Sequence, residues 1–407
     1  MMSSNSMSNY QKQAISSAAT GLGFQSMSTM LLSFVLASMI LDFGISGAAG
    51  GLISTVTNIG MLVGGIVFGP LADKYGRVKI FAITVAIFSI ATGATAFATN
   101  IELVYLFRFL VGVGGGGEYG VVMSIIADAF PKEKRGRMNS IVTISGQIGV
   151  IVAAIAAAII VPSLGWQGLF IFGAIPILFA LVIYFKLDES ETWKKAKKEA
   201  GETKEKISIK ELFIENRAST TIKLTIMAIV QVAGYFGLMN WLPSILQQKA
   251  GITVSGSSMW MVVTIVGMSL GMFVFGFVMD KFGAKVAYSF YLFASAVSVI
   301  AYSFASGSFA ILIGGAIVGF FCNGMNAGYG AIVGNLYPTR IRATANSIIF
   351  NVGRAVGGFS AVVIGYLMDS YTITHVMAFL AVLYCISLLT VLTLKVPKTN
   401  ITTVNSK

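Results

Sequence analysis

The feature that most constrains this chain is a passage that occurs twice. Gly69-Pro70-Leu71-Ala72-Asp73-Lys74-Tyr75-Gly76-Arg77 returns as Gly276-Phe277-Val278-Met279-Asp280-Lys281-Phe282-Gly283, so that Asp280 stands 207 residues after Asp73. Phe130-Pro131, running through Arg135 to Asn139-Ser140-Ile141, returns at the same offset as Tyr337-Pro338, through Arg342 to Asn346-Ser347-Ile348. Two separate matches at one spacing imply two homologous halves. Their expected bounds are 1–186 and 221–407, joined by a segment at 187–220. That segment mixes Lys with Glu and reads as a solvated linker able to form short helices at a surface.

Composition places both halves in a bilayer. Hydrophobic residues make up 56% of the chain and charged residues 11%, against about 25% charged in a soluble domain. Apolar stretches long enough to cross ~30 Å of hydrocarbon recur from end to end. Twelve spans are expected, near 18–41, 48–71, 78–98, 101–127, 138–161, 168–186, 221–247, 257–279, 285–305, 309–335, 342–367 and 374–395. Helices are the expected form, because backbone groups in lipid need internal partners. An internal repeat in a membrane protein points to a transporter with its substrate site between the halves.

With twelve spans and both ends inside, 25 of the 28 Lys and Arg residues fall in the tails and in loops on one side. The positive-inside rule then makes that side, and both termini, cytoplasmic. The net charge of +12 is accordingly a topology signal, spread over short loops, and no nucleic-acid partner is expected. Cys322 and Cys385 lie in apolar spans and His375 is the single histidine. No cofactor, metal site or catalytic set is expected from this inventory, and an enzyme is not. The run Gly114 to Gly117 lacks the Lys-Ser/Thr of a phosphate loop.

Each repeat carries a Gly, then an Asp, then basic residues at the cytoplasmic end of its second span. Gly69 is expected to let a neighbouring helix approach. Asp73, Arg77, Arg135, Asp280 and Arg342 are the expected gating charges, pairing when the cytoplasmic side is shut and parting as the halves rock. The alternative is a set of charged loops that only fixes topology.

Here the resemblance becomes specific. Gly-x-x-x-Asp-x-x-Gly-Arg after the second span, its weaker copy after the eighth, and Arg-Gly-Arg after the fourth resemble the major facilitator superfamily over nearly the whole chain. Arg108-Phe109 with Gly112 and Gly117-Glu118-Tyr119, and Glu189-Ser190-Glu191-Thr192-Trp193 after the sixth span, resemble bacterial sialic-acid permeases. Gly353-Arg354 with Gly357-Gly358 is similar to a passage in aromatic-acid and metabolite:proton symporters. The resemblance implies an all-α fold of two pseudo-symmetric six-helix bundles, working as a monomer and importing an organic anion. One departure stands out. Those symporters commonly carry Asp-x-x-Asp in the first span, where this chain has Gln25 and Ser28, and an amide there accompanies uniport in sugar porters.

A charge in hydrocarbon is a functional candidate by default. Glu118 is ten residues from Asp128, about 15 Å along a helix and so near mid-membrane, where it is the expected proton carrier; the alternative is a structural carboxylate paired with Arg or Tyr. Arg354, about 18 Å from Arg342 along its helix, is expected to grip a carboxylate, or else to pair with Glu118. Its counterpart in the first half is Gln147. Arg108 lies shallower, and reads equally as an anion contact or as a helix-packing anchor beside Gln25 or Ser28. Gln25, Ser28, Tyr119, Gln147, Gln231, Tyr235, Asn323, Asn326 and Tyr329 complete the expected substrate contacts, their alternative being interhelical hydrogen bonds. The expected function is proton-coupled import of a small carboxylate such as a sialic, sugar or aromatic acid. A uniporter or exporter of the same fold, or a transporter-like nutrient sensor, are the rival readings.

Overall fold

The structure is a computed structural model and describes residues 7–191, 193–194, 209–214, 217–337 and 339–394; side chains at 73, 132–137, 139–140, 209–210, 327, 330–331, 334–335, 339–340 and 342–344 also lie outside the described set. The described residues form helices, in the order α1 (Asn9–Phe43), α2 (Gly47–Tyr75), α3 (Arg77–Thr95), α4 (Ile101–Ala129), α5 (Lys132–Phe172), α6 (Pro176–Lys186), α7 (Arg217–Ala250), α8 (Val254–Phe282), α9 (Ala284–Ser303), α10 (Ser308–Gly324), α11 (Tyr329–Leu336), α12 (Thr339–Gly357), α13 (Ser360–Ser370) and α14 (Ile373–Leu392). The end of the bundle that carries residues 187–214 is called the linker end below, and the opposite end the far end.

Short polar caps set the helix bounds. Ser8 and Gln11 close a reciprocal capping box on α1, each side chain accepting from the other's backbone N–H at 3.1 Å. At the far end Gly44, at φ 61, ends α1 in the left-handed region. Asn100 and Thr253 cap α4 and α8 through the N–H groups of Leu103 and Gly256.

Ten stretches among the described residues are long and apolar enough to cross a membrane. Dividing one of them and adding a composite helix outside the ten gives the twelve expected spans. The stretch 141–186 turns back at Gly165, whose φ of 63 takes it out of the helix, separating the fifth span from the sixth. The tenth span is composite: α10 is too short alone, and a 3-10 turn over Met325–Gly328 joins it to α11. The eleventh span likewise divides into α12 and α13, and the first begins at Asn9 rather than residue 18.

Glycine contacts hold the helices together, and they repeat at the offset of the sequence. A Cβ on Gly60 or Gly64 of α2 would meet the carbonyls of Phe109 or Val113 of α4, and one on Gly112 would meet that of Thr57. In the second half Gly267 and Gly271 of α8 sit against the carbonyls of Ala316 and Phe320 of α10, and Gly319 against that of Thr264. Every partner is 207 residues on. Without a hydrophobic drive between helices in lipid, such close backbone approach is what packs them. Of the glycines of 114–117, Gly116 and Gly117 belong to the same seam, while Gly114 faces α3 and Gly115 faces Gln25 of α1. Gly69 lies outside the seam: a Cβ there meets nothing within 4 Å, so the expected close helix approach falls on Gly60 and Gly64 instead. Large apolar side chains such as Ile66, Leu106, Phe185, Phe273 and Phe293 point outward, as a lipid-facing surface requires.

Hydrogen bonds between the two halves gather toward the far end. Ser33 of α1 bonds Asn240 of α7 at 3.0 Å, and Asn240 Nδ2 donates to Ser54 of α2 at 2.5 Å. Thr55 Oγ1 donates to the Gly358 carbonyl at 2.9 Å. Asp369, at the end of α13, accepts from the backbone N–H groups of Gly47 and Ala48 at 2.9 and 3.2 Å. Ser255 of α8 donates to the Ala158 carbonyl of α5 at 2.8 Å.

Candidate functional site

On the linker side of that closure lies a cavity of about 170 Å³, lined by both halves. α1 contributes Gln25, Ser26, Thr29 and Met30; α4 gives Tyr119, and α5 gives Thr143 and Gln147. From the second half come Gln231, Tyr235 and Phe236 of α7, Asn323 and Asn326 beside the α10 break, and Phe350 with Arg354 of α12.

Arg354 is the cation of this cavity. Its guanidinium lies 5.0 Å from the Phe350 ring centroid and 5.9 Å from that of Tyr119, which belongs to the other half. The guanidinium carbon thus lies within cation–π range of a ring from each half. Among the described residues it makes no salt bridge, and the expected pairing with Glu118 is not formed. Gln25 is tied locally: its Nε2 donates to Thr29 Oγ1 at 3.0 Å, while Thr29 donates to the Gln25 carbonyl.

Three of the expected contacts lie elsewhere. Arg108 is fully buried away from the cavity, donating to the backbone carbonyls of Ser28 and Thr29 at 3.3 and 3.0 Å and lying over Phe170. The α1 carbonyls and an aromatic face thus surround its charge inside the first bundle. Ser28 points into the same buried layer. Tyr329 is buried against Tyr288 and Phe350 rather than lining the cavity. Glu118 is fully buried, with neither carboxylate oxygen hydrogen-bonded, and packs toward Gly21 of α1 beside Phe81. Its neighbour Tyr119 reaches the cavity; Glu118 sits behind it.

At the linker end Arg77 forms an ion pair with Asp128 of α4 and donates to the Ser124 carbonyl at 3.1 Å. Ser190 donates to Asp128 Oδ2 at 2.6 Å. The Glu189 carboxylate accepts from the backbone N–H groups of Arg77, Val78 and Lys79 at 2.9 to 3.1 Å, capping α3 from more than 100 residues away. The linker is therefore docked at its first residues. Asp280 is exposed, and the side chains of Asp73, Arg135 and Arg342 lie outside the described residues. The sequence reading missed Asp128, Glu189 and Asp369 as structural charges. Glu189 was visible only as part of a resemblance, and nothing local marked the other two.

Two pseudo-symmetric helical bundles around a central polar cavity define a multi-pass membrane transporter. The profile of the Major Facilitator Superfamily matches residues 18–270 and 224–407, and the chain belongs to that superfamily. It is 36% identical to a putative metabolite transport protein of Haemophilus influenzae, over 95% of this chain and 96% of that one. It is 29% identical to the sialic acid transporter NanX of Escherichia coli, over 89% and 88% of the two chains. Among solved structures, a bacterial homolog of the human lysosomal transporter Spinster, inward-facing and occupied, superposes with a TM-score of 0.80 at 18% identity, covering 95% of this chain and 97% of that one. Its members transport rather than catalyse, as expected for a chain that is not an enzyme.

Proposed function

We propose that the protein imports a small organic anion by alternating access, coupled to protons, as a monomer in the bacterial plasma membrane. The moving bodies are the bundles at 1–186 and 221–407, connected by 187–220. The observation that carries this reading is Arg354: a guanidinium on the cavity wall, stacked on Tyr119 and Phe350, without a carboxylate partner among the described residues. A charge inside the membrane is costly unless paired, and an anionic solute completes the pair. The sialic acid carried by the Escherichia coli relative is a carboxylate too. With the basic residues at the linker end and both termini cytoplasmic, closure at the far end corresponds to an inward-facing state.

Glu118 is the proposed proton carrier, as a carboxyl buried without a hydrogen-bond partner. A second reading, uniport, is favoured by its position behind the cavity wall and by Gln25 standing on that wall. Proteoliposomes loaded with a pH gradient separate the two. Symport predicts that Glu118→Gln loses gradient-driven accumulation of a bound carboxylate yet keeps exchange. Accumulation equal to wild type would assign uniport or another proton site. Arg354→Ala should abolish uptake in either case, and uptake unchanged in that variant would sink the anion assignment.

A further inference from the structure

Gln231, on the α7 wall of the cavity, has an amide whose orientation is fixed. Its Nε2 donates to the backbone carbonyl of Cys322 at 3.1 Å, and the reversed amide would set two acceptor oxygens against each other. Oε1 is thereby left as an acceptor, buried and without a partner. Gln231 is 3% exposed, and Asn323, on the same wall and 1% exposed, has neither Nδ2 nor Oδ1 bonded. Buried polar atoms are nearly always satisfied, and here the cavity is where their partner can come from. Arg354 is the sole Lys or Arg among the described lining residues, so the site holds one cation and, separately, a neutral pair dominated by acceptors.

We infer that the solute is a monocarboxylate bearing a neutral hydrogen-bond donor, a hydroxyl or uncharged N–H, which is received by Gln231 Oε1 and Asn323. This rests on the reading that Arg354 holds the carboxylate. A second carboxylate is disfavoured at that position, because it would set an acceptor against the Gln231 oxygen with only neutral amide N–H groups to receive it, and a poorly paired buried charge is costly. A plain carboxylate without a donor leaves both amides unsatisfied and binds more weakly.

The test uses the full-length protein in detergent, with thermal stabilisation and titration as readouts. The probes are benzoate, its 3- and 4-hydroxy and 3- and 4-amino derivatives, and isophthalate and terephthalate; an aliphatic series of propionate, lactate and malonate runs alongside. The best donor-bearing member of a series should bind at least about tenfold tighter than its parent acid, and the dicarboxylates more weakly than either. Gln231→Met keeps the side-chain length and removes Oε1; Asn323→Leu is the second variant. In each, the melting temperature without ligand reports a folded protein, while the donor preference shrinks to within about threefold. Equal affinity for parent and donor-bearing acids, or a preference untouched in both variants, overturns the inference and leaves the anion reading intact so long as parent-acid binding is lost in Arg354→Ala. Binding independent of Arg354, or by no member of either series, overturns both.

Discussion

Ser33 and Asn240 occupy the same position of the two repeats, 207 residues apart, and are hydrogen-bonded to each other at 3.0 Å. Residues related by a pseudo-two-fold axis can touch only where they lie on it, so this contact marks the axis at the far-end closure. Asn240 also takes Ser54 as an acceptor, which makes it the central link of the closed layer. Asn240→Ala strands the Ser33 hydroxyl and removes both links, about 1–3 kcal/mol against the closed state. Spin labels at Phe97 and Phe304, exposed repeat mates near the far end, should then show a new long-distance population by pulsed electron resonance. An unchanged distance distribution would mean that Asn240 does not hold the closure.

Asp369 holds the same closure by a different device. Its carboxylate receives the first N–H groups of α2 from the other half, where the helix end also favours negative charge. Its repeat mate is Pro162, so the device exists on one side of the axis only. Asp369→Asn keeps one acceptor and removes the charge, weakening closure by about 0.5–2 kcal/mol. The same label pair should report a smaller opening than with Asn240→Ala; an opening as large or none would contradict this account.

Capping of α3 by Glu189 gives a stability prediction at the other end. Glu189→Ala exposes three backbone N–H groups at once, and a cap is worth about 0.5–2 kcal/mol. The detergent-solubilised protein should lose several degrees of melting temperature. Glu191→Ala is the comparison: its pair with Lys194 is an exposed i,i+3 contact, worth ~0–1 kcal/mol. Equal losses in the two variants would show that capping is not the cause.

The glycine seams separate two motifs that look alike in sequence. Gly64→Ala and Gly271→Ala push a methyl into the carbonyls of Val113 and Phe320 and should each destabilise their half by about 1–3 kcal/mol. Gly69→Ala and Gly276→Ala meet nothing within 4 Å and should leave the melting temperature unchanged. A loss at Gly69 as large as at Gly64 would show the seam running on to the linker end.

The twofold architecture was legible because the repeat and the apolar lengths are one-dimensional signals. The composite tenth span was not, since the break at Met325–Gly328 contains residues that also read as apolar helix. In the cavity, Gln25, Gln147, Gln231 and Asn323 were visible as polar residues in spans. Arg108, Ser28 and Glu118 were indistinguishable from them along the chain. Rotation about the helix axis decides which polar residue faces the cavity, and α4 shows the limit: Glu118 and Tyr119 are adjacent, and only Tyr119 lines it. Long-range caps such as Glu189 on α3 join residues too far apart for any local pattern to connect.

The two intramembrane arginines should separate cleanly in one experiment. Arg108 is enclosed by the Ser28 and Thr29 carbonyls and Phe170, so Arg108→Ala removes two charge-assisted hydrogen bonds to α1 and leaves a void in the first bundle. That variant should lose about 3 kcal/mol or more of stability, with weak expression as the result. Arg354 has two ring faces and no hydrogen bond among the described residues, so Arg354→Ala gives up only the stacking, ~0.5–2 kcal/mol. It should melt close to wild type while failing to bind any carboxylate. Arg354→Lys tests the geometry: a point charge keeps long-range attraction but cannot offer a planar fork. Partial binding, between wild type and alanine, is expected there. If Arg354→Ala melted as early as Arg108→Ala, the guanidinium would be part of the scaffold, and the cavity would have to recognise its solute through amides and phenols alone.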